Sequence, residues 1–213
     1  MRAGRAERRR QARKERRDRV KELAGAMTAP EVPLVWRAGW GGRVTSAVVC
    51  VVFVLLSEHE GGGSMAHPRP VGLIFSVWPS LIVGWVCCWL ALWRVTADRD
   101  GVYIRRLLST RFLPWSRISR VEMRHDGQLE FFSQAPEPMA GLFAPPWLSR
   151  VTRRPGTGGQ AADMLTAMAR HGDLRPTAQA ERAQIGGGLV PWVFLVGVVL
   201  HLAVEFLPHW SLA

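Results

Sequence analysis

Three stretches of the chain lose the mixing of polar and apolar positions. Residues Val71 to Trp93 run VGLIFSVWPSLIVGWVCCWLALW, 23 positions without a charged side chain. Val44 to Leu56 (VTSAVVCVVFVLL) and Gly186 to Val204 (GGGLVPWVFLVGVVLHLAV) are also free of charge. A bilayer core is about 30 Å thick and an α-helix rises about 1.5 Å per residue, so about 20 apolar residues cross it with every backbone group bonded internally. The pattern predicts transmembrane helices over 36–57, 71–93 and 186–207. The first is the shortest, since the uncharged run from Val44 to Ser57 has 14 residues, a length shared with signal-peptide cores. Here 43 residues precede the run and Ser57-Glu58-His59-Glu60 follows it. It therefore reads as a span, with Trp36 and Trp40 at the interface and Arg43 snorkelling to the headgroups.

The second span carries a finer pattern. Gly72, Ser76, Ser80, Gly84 and Cys88 recur every fourth residue, while Trp78, Ile82, Trp85 and Trp89 form a bulky ridge elsewhere. A stripe of small residues lets another helix backbone approach closely, and close packing is what joins helices in lipid. The stripe is the expected helix-packing face, against another span or the same helix of a second copy, although small residues also cluster by chance. Pro79 predicts a kink at mid-span.

After Arg94 the period shortens. Leu92–Thr96, Val102–Leu108, Thr110–Pro114, Ile118–Arg124 and Leu129–Phe132 are short runs rich in β-branched and aromatic residues. They are separated by Asp100-Gly101, Ser109-Thr110, a Pro114-Trp115-Ser116 corner and Asp126-Gly127, which predicts a small antiparallel sheet, barrel or sandwich. Farther on, QAADMLTAMARH (Gln160–His171) places Ala161, Met164, Leu165, Met168 and Ala169 on one helical face, with Gly172 as the stop. Strands followed by one amphipathic helix make an α+β module.

Charge sets the expected orientation. Residues 1–43 carry 13 of the 28 Lys and Arg, residues 94–184 carry 14, and the connection from Ser57 to Pro70 carries only Arg69. The positive-inside rule predicts a multi-pass cell-membrane protein with the amino terminus cytoplasmic and the carboxy terminus external. The expected organisation is a basic cytoplasmic arm (1–35), the first span (36–57), an external loop (58–70), the second span (71–93), a cytoplasmic domain (94–175), a linker (176–185), the third span (186–207) and an external tail (208–213). Residues 2–25 of the arm are almost wholly polar, with Val20 and Leu23 their only large apolar residues. They suit a solvated segment or one lying on anionic lipid. Without stacking aromatics or a base-reading motif, nucleic acid is disfavoured. Cys50, Cys87 and Cys88 all lie in apolar spans and predict neither disulfides nor a zinc site.

The stretch DRDGVYIRRLLSTRFLPWSRISRVEM (98–123) resembles the bacterial pleckstrin-homology (PH)-like domain of small actinobacterial membrane proteins, in which a strand pair ending at a Pro-Trp corner leads into the next strand. The resemblance covers Trp93 to Ser133. It implies an antiparallel β-sandwich closed by a carboxy-terminal helix, supplied here by Ala161–His171, and two apolar helices ahead of the domain. Gln134 to Gly159 are rich in Pro and Gly where the resemblance places the last strands.

No catalytic constellation is present in the sequence. Gly156-Thr157-Gly158-Gly159 lacks the Lys-Ser/Thr of a phosphate-binding loop, and neither a Gly-x-Ser-x-Gly elbow nor a His-Glu-x-x-His helix occurs. His59, between Glu58 and Glu60, with His67 and His209, makes a poor metal set because Gly61-Gly62-Gly63 leaves its geometry unfixed. His201 sits near the outer end of the third span, one turn before Glu205, where an interfacial placement accounts for it. No cofactor and no metal are expected. Arg105, Arg106, Arg111, Arg117, Arg120 and Arg124 line or flank the expected strands as candidate contacts for anionic lipid or a protein partner. The expected role is non-enzymatic: a membrane-anchored binding or scaffolding protein, engaging the bilayer and a protein partner, a second copy or anionic lipid. The alternative is a small transporter or channel subunit with the domain as regulator, which the near absence of polar residues in the spans disfavours.

Overall fold

A computed structural model describes residues 2–57, 70–132, 137–140 and 157–210. The expected loop 58–70 lies outside the described residues apart from Pro70, as do His59, His67, Gly156 and the end of the tail. The chain divides into two units, Met1–Trp36 with Arg94–Ile104 and Arg111–Gly186, and Arg37–Trp93 with Arg105–Thr110 and Gly187–Ala213.

The first unit contains helix α1 (Arg2–Ala26) and most of two antiparallel sheets. Strands β1 (Leu34–Arg37), β2 (Arg94–Ala97), β3 (Gly101–Arg105) and β4 (Thr110–Pro114) form one sheet in that order. Strands β5 (Arg120–Met123), β6 (Leu129–Phe132) and β7 (Glu137–Ala140) form the other. β2 and β3 pair with Thr96 opposite Tyr103, and the Asp98 carboxylate closes their turn by accepting the amides of Asp100 and Gly101 at 2.9 and 3.0 Å. β5 and β6 pair with Val121 opposite Phe131 around Asp126-Gly127, where Gly127 takes φ 85°, a conformation other residues adopt only at a cost. β7 arises within the Pro- and Gly-rich stretch. Its Pro138 cannot donate to a ladder and is tolerated on this edge strand.

Alternation drives the core. Val95, Ala97, Val102 and Ile104 of the first sheet and Val121, Leu129 and Phe131 of the second are buried. Helix α4 (Thr157–Arg170) packs on β5 through a face of Ala161, Ala162, Leu165, Thr166 and Met168. That face is rotated from the expected one: Met164 and Ala169 are half-buried, and Thr166 is fully covered because its hydroxyl serves the strand. Its Oγ1 accepts the Val121 amide at 3.0 Å and lies 3.1 Å from the Val121 carbonyl, so the backbone of an edge strand finds its partners on a helix. Trp115, in a 3-10 turn at Trp115–Arg117, is buried and donates Nε1–H to the Asp98 carbonyl at 2.9 Å.

Two parts of this unit differ from the reading as arm and linker. α1 is docked on α4 rather than solvated throughout. Val20 is 4% exposed in a cluster with Ala167 and Leu174, and Ala24 and Met27 pack against it. Residues 176–185, expected as a linker, are strapped along the β2–β3 hairpin. Ala178 accepts the Arg99 amide, Ala180 donates to the Asp98 carboxylate at 3.0 Å, and the Thr96 hydroxyl donates to the Gln184 carbonyl at 2.9 Å. The strap ends in helix α5 (Arg182–Ile185), whose Glu181 and Gln184 cap each other's backbone.

The second unit is built from helices α2 (Trp40–Ser57), α3 (Pro70–Leu92) and α6 (Val190–Trp210), with α3 packed against both others. Trp36 and Arg37 belong to β1, so the first apolar helix starts at Trp40, and α6 continues to Trp210, into the expected tail. Among the described residues α2 is the one helix long and apolar enough to cross a membrane, with mean hydropathy 1.7. Val77–Leu92 and Val190–Glu205 are shorter apolar stretches. The Ser46 hydroxyl donates to the Cys87 carbonyl at 3.2 Å, and Cys50 and Cys87 bring their sulfurs to 3.3 Å.

Candidate binding cleft

The arm, the edge strand and α4 meet around one guanidinium. Arg16 donates Nε to Asp163 of α4 at 2.9 Å, pairs through Nη1 with Glu122 of β5 at 3.0 Å, and bonds the Val121 carbonyl. The planar guanidinium, with five N–H donors in a fixed fork, serves three acceptors at once. Arg16 and Val20 are one helical turn apart, so the polar clamp and the apolar anchor lie on the same face of α1. Beside them is a cleft of about 100 Å³ lined by Arg16, Arg17, Arg120, Arg170, Glu122 and Thr166. Four arginines and one carboxylate line it, and Asp163, which is not among the lining residues, engages Arg16.

The six arginines singled out from the sequence have diverse surroundings. Arg120 stacks 4.2 Å from the Phe132 ring centroid and pairs with Glu122 at 3.4 Å. Arg124 pairs with Asp126 across its own turn at 3.4 Å. Arg117 is exposed, and Arg111 is half-buried on β4. Arg105 and Arg106 belong to the helical unit. There Arg105 donates to the Gly187 carbonyl at 2.7 Å and to that of Leu92, and the Arg106 carbonyl accepts the Leu189 amide. Arg120 alone of the six lines the cleft. Arg16, Arg17 and Arg170 were not singled out, although Arg16, Val20, Ala24 and Met27 at spacings of four, four and three are a legible stripe in an otherwise polar arm.

Of the small residues proposed as a packing face, Ser80, Gly84 and Cys88 are buried, while Trp78, Ile82, Trp85 and Trp89 are exposed. The side chains of Gly72 and Ser76 lie outside the described residues. A Cβ on Gly84 would stand 3.0 Å from the Gly197 nitrogen and 3.2 Å from the Val193 carbonyl, so the α3 and α6 backbones meet where neither helix has a side chain.

On the hairpin side, Tyr103 packs against Phe112 with ring centroids 4.8 Å apart. Burial, then the negative charges of Asp98 and Asp100, push its phenol above the ordinary range. Among the described residues no group of three His, Cys, Asp or Glu is arranged to hold a metal ion.

No curated protein and no solved structure matches the chain. A family model described as Bacterial PH domain matches residues 93–183, a range that begins just before β2, takes in both sheets and α4, and ends in the strap. Two antiparallel sheets, a helix closing the edge of one of them and a matching family model agree: residues 93–183 are a domain of the bacterial PH-like family.

Proposed function

We propose that the chain is an integral membrane protein that presents its PH-like domain, as a binding and scaffolding module, at the inner face of the cell membrane. A domain of this family suggests a binding or scaffolding role. The observation that carries the membrane part is the outer surface of the helical unit. Val44, Val48, Val51 and Leu55 of α2, the Trp78–Trp89 ridge of α3, and Phe194, Leu195, Val198 and Val199 of α6 are all exposed. Exposed apolar surface costs about 25 cal/mol per Å² in water and nothing comparable in hydrocarbon, so this surface suits lipid. On this reading α2, α3 and α6 are three crossings, and the distribution of Arg and Lys supports a cytoplasmic amino terminus and domain with an external carboxy terminus.

The module acts by binding rather than by chemistry. Its occupants are protein partners or anionic lipid, and the intramolecular roles of Arg105, Arg120 and Arg124 leave fewer guanidiniums for a flat anionic surface than the sequence count implies. The test is extraction and labelling. The protein should resist alkaline carbonate extraction from membranes. In a variant without Cys50, Cys87 and Cys88, a cysteine at Ser64 should react with an impermeant thiol reagent on intact cells while one at Ser116 should not. Release by carbonate would overturn the membrane reading, and labelling at Ser116 would reverse the orientation.

A further inference from the structure

We infer that the cleft between α1, β5 and α4 is a site for a compact oxyanion of the phosphate class, and that occupancy clamps the arm onto the domain. The inference rests on reading the domain as a binding module and adds a ligand chemistry and a regulated element to it. The cleft is composite: α1 contributes Arg16, Arg17 and the apolar Val20, β5 contributes Arg120 and Glu122, and α4 contributes Thr166 and Arg170. Its volume of about 100 Å³ has room for a single tetrahedral oxyanion.

The charges are unequal in their duties. Arg16 is engaged by Asp163, Glu122 and the Val121 carbonyl, so it locates α1. Arg120 is steadied by the Phe132 ring and Glu122. Arg17 on the arm and Arg170 in the last turn of α4 are exposed. Four lining arginines against the one lining carboxylate, Glu122, leave the cleft positive, and Asp163, outside the lining, is shared between Arg16 and Arg19. Guanidiniums converging from separate elements repel one another, and a bound oxyanion with several acceptor oxygens replaces that repulsion with charge-assisted hydrogen bonds. A ligand that contacts α1 and α4 together favours the docked arm by its differential affinity, and docking raises affinity for the ligand in return.

The experiment uses the full chain in neutral detergent at low ionic strength, with inorganic phosphate as the probe. Two readouts are taken: heat of binding, and the rate of tryptic cleavage within the arginine-rich arm. Phosphate should bind and slow arm cleavage, and Arg17→Ser and Arg170→Ser should each weaken binding by about tenfold while leaving the circular dichroism unchanged. Arg99→Ser, which removes an exposed charge that does not line the cleft, should leave affinity within about twofold. Competition by phosphatidylcholine vesicles doped with phosphatidic acid would identify a lipid headgroup as the source of the phosphate, and indifference to them would identify soluble phosphate; the cleft is supported either way. Absence of phosphate binding, or an equal loss in Arg99→Ser, would overturn the site. Binding without protection of the arm would overturn the clamp. Either failure leaves carbonate extraction and orientation untouched, so it is distinct from failure of the membrane reading.

Discussion

In the PH-like unit, polar atoms at the core's edge are met by side chains from distant parts of the chain. The Thr166 hydroxyl takes the Val121 amide, Asp98 takes Ala180, and Arg16 joins Glu122 to Asp163. In the helical unit Ser46 and Arg105 also reach distant carbonyls, but α3 and α6 meet in another way: backbone against backbone at Gly84 and Gly197, with Trp78, Ile82, Trp85 and Trp89 exposed. The first unit expels water from its interior and must then replace the hydrogen bonds that water made. The second bonds its backbone within each helix and needs only surfaces thin enough to meet. One chain thus satisfies the same backbone chemistry by two routes, and each route has its own weak points.

The largest effect is expected where the PH-like core is closed by volume. Phe131 is 1% exposed, and Phe131→Ala should cost about 4 kcal/mol, seen as a large fall in the thermal midpoint of the domain. A small fall would mean that the sandwich is loosely packed. In the helical unit Gly84→Leu should cost about 3 kcal/mol by forcing α3 and α6 apart, read as lost thermal stability in detergent, whereas Ile82→Leu, on the exposed ridge, should change little. Equal effects at the two positions would break the contrast between inner and outer faces. Thr166→Val keeps shape but strands a buried amide, so it should cost about 2 kcal/mol, with Thr166→Ser recovering most of it. If valine is tolerated, the helix does not cap the strand.

The smallest effect sharpens the comparison at one titrating group. Tyr103 is the chain's single tyrosine, so ultraviolet absorbance of its phenolate reads it alone. With its folded-state value raised, the phenol holds its proton more tightly in the folded domain. Its contribution to stability is full below about pH 10 and is lost as pH rises from there through the folded value. The titration midpoint should lie above the ordinary tyrosine value, and Asp100→Asn should lower it by removing one of the lesser causes. A midpoint at the ordinary value would remove the charged environment assigned to the hairpin.

Local pattern was enough for those elements whose periodicity and turns agree. Thr110–Pro114 and Leu129–Phe132 are read from the sequence with the bounds they have in the fold, and α4 starts only three residues ahead of its expected first residue. Asp126-Gly127 marks a hairpin because Gly127 needs the positive φ it takes. The Pro-Trp corner is a 3-10 turn that buries Trp115. β1 and β7 were not legible. Each has four residues, β7 contains a proline, and an edge strand of that length has no pattern that outweighs its neighbours; pairing, not propensity, makes it a strand.

The sequence by itself determined the apolar segments, the basic distribution and the strand periodicity of the domain, because each depends on neighbours within about one turn or one hairpin. The tertiary structure alone decided which charges converge. Arg16 meets Glu122 and Asp163 across separations of more than a hundred residues, and residues 176–185 become a strap because Asp98 offers its second oxygen to Ala180. Such pairings follow from how sheet and helix pack, and nothing in the spacing of residues along the chain encodes a meeting between groups that only the folded core brings within 3 Å.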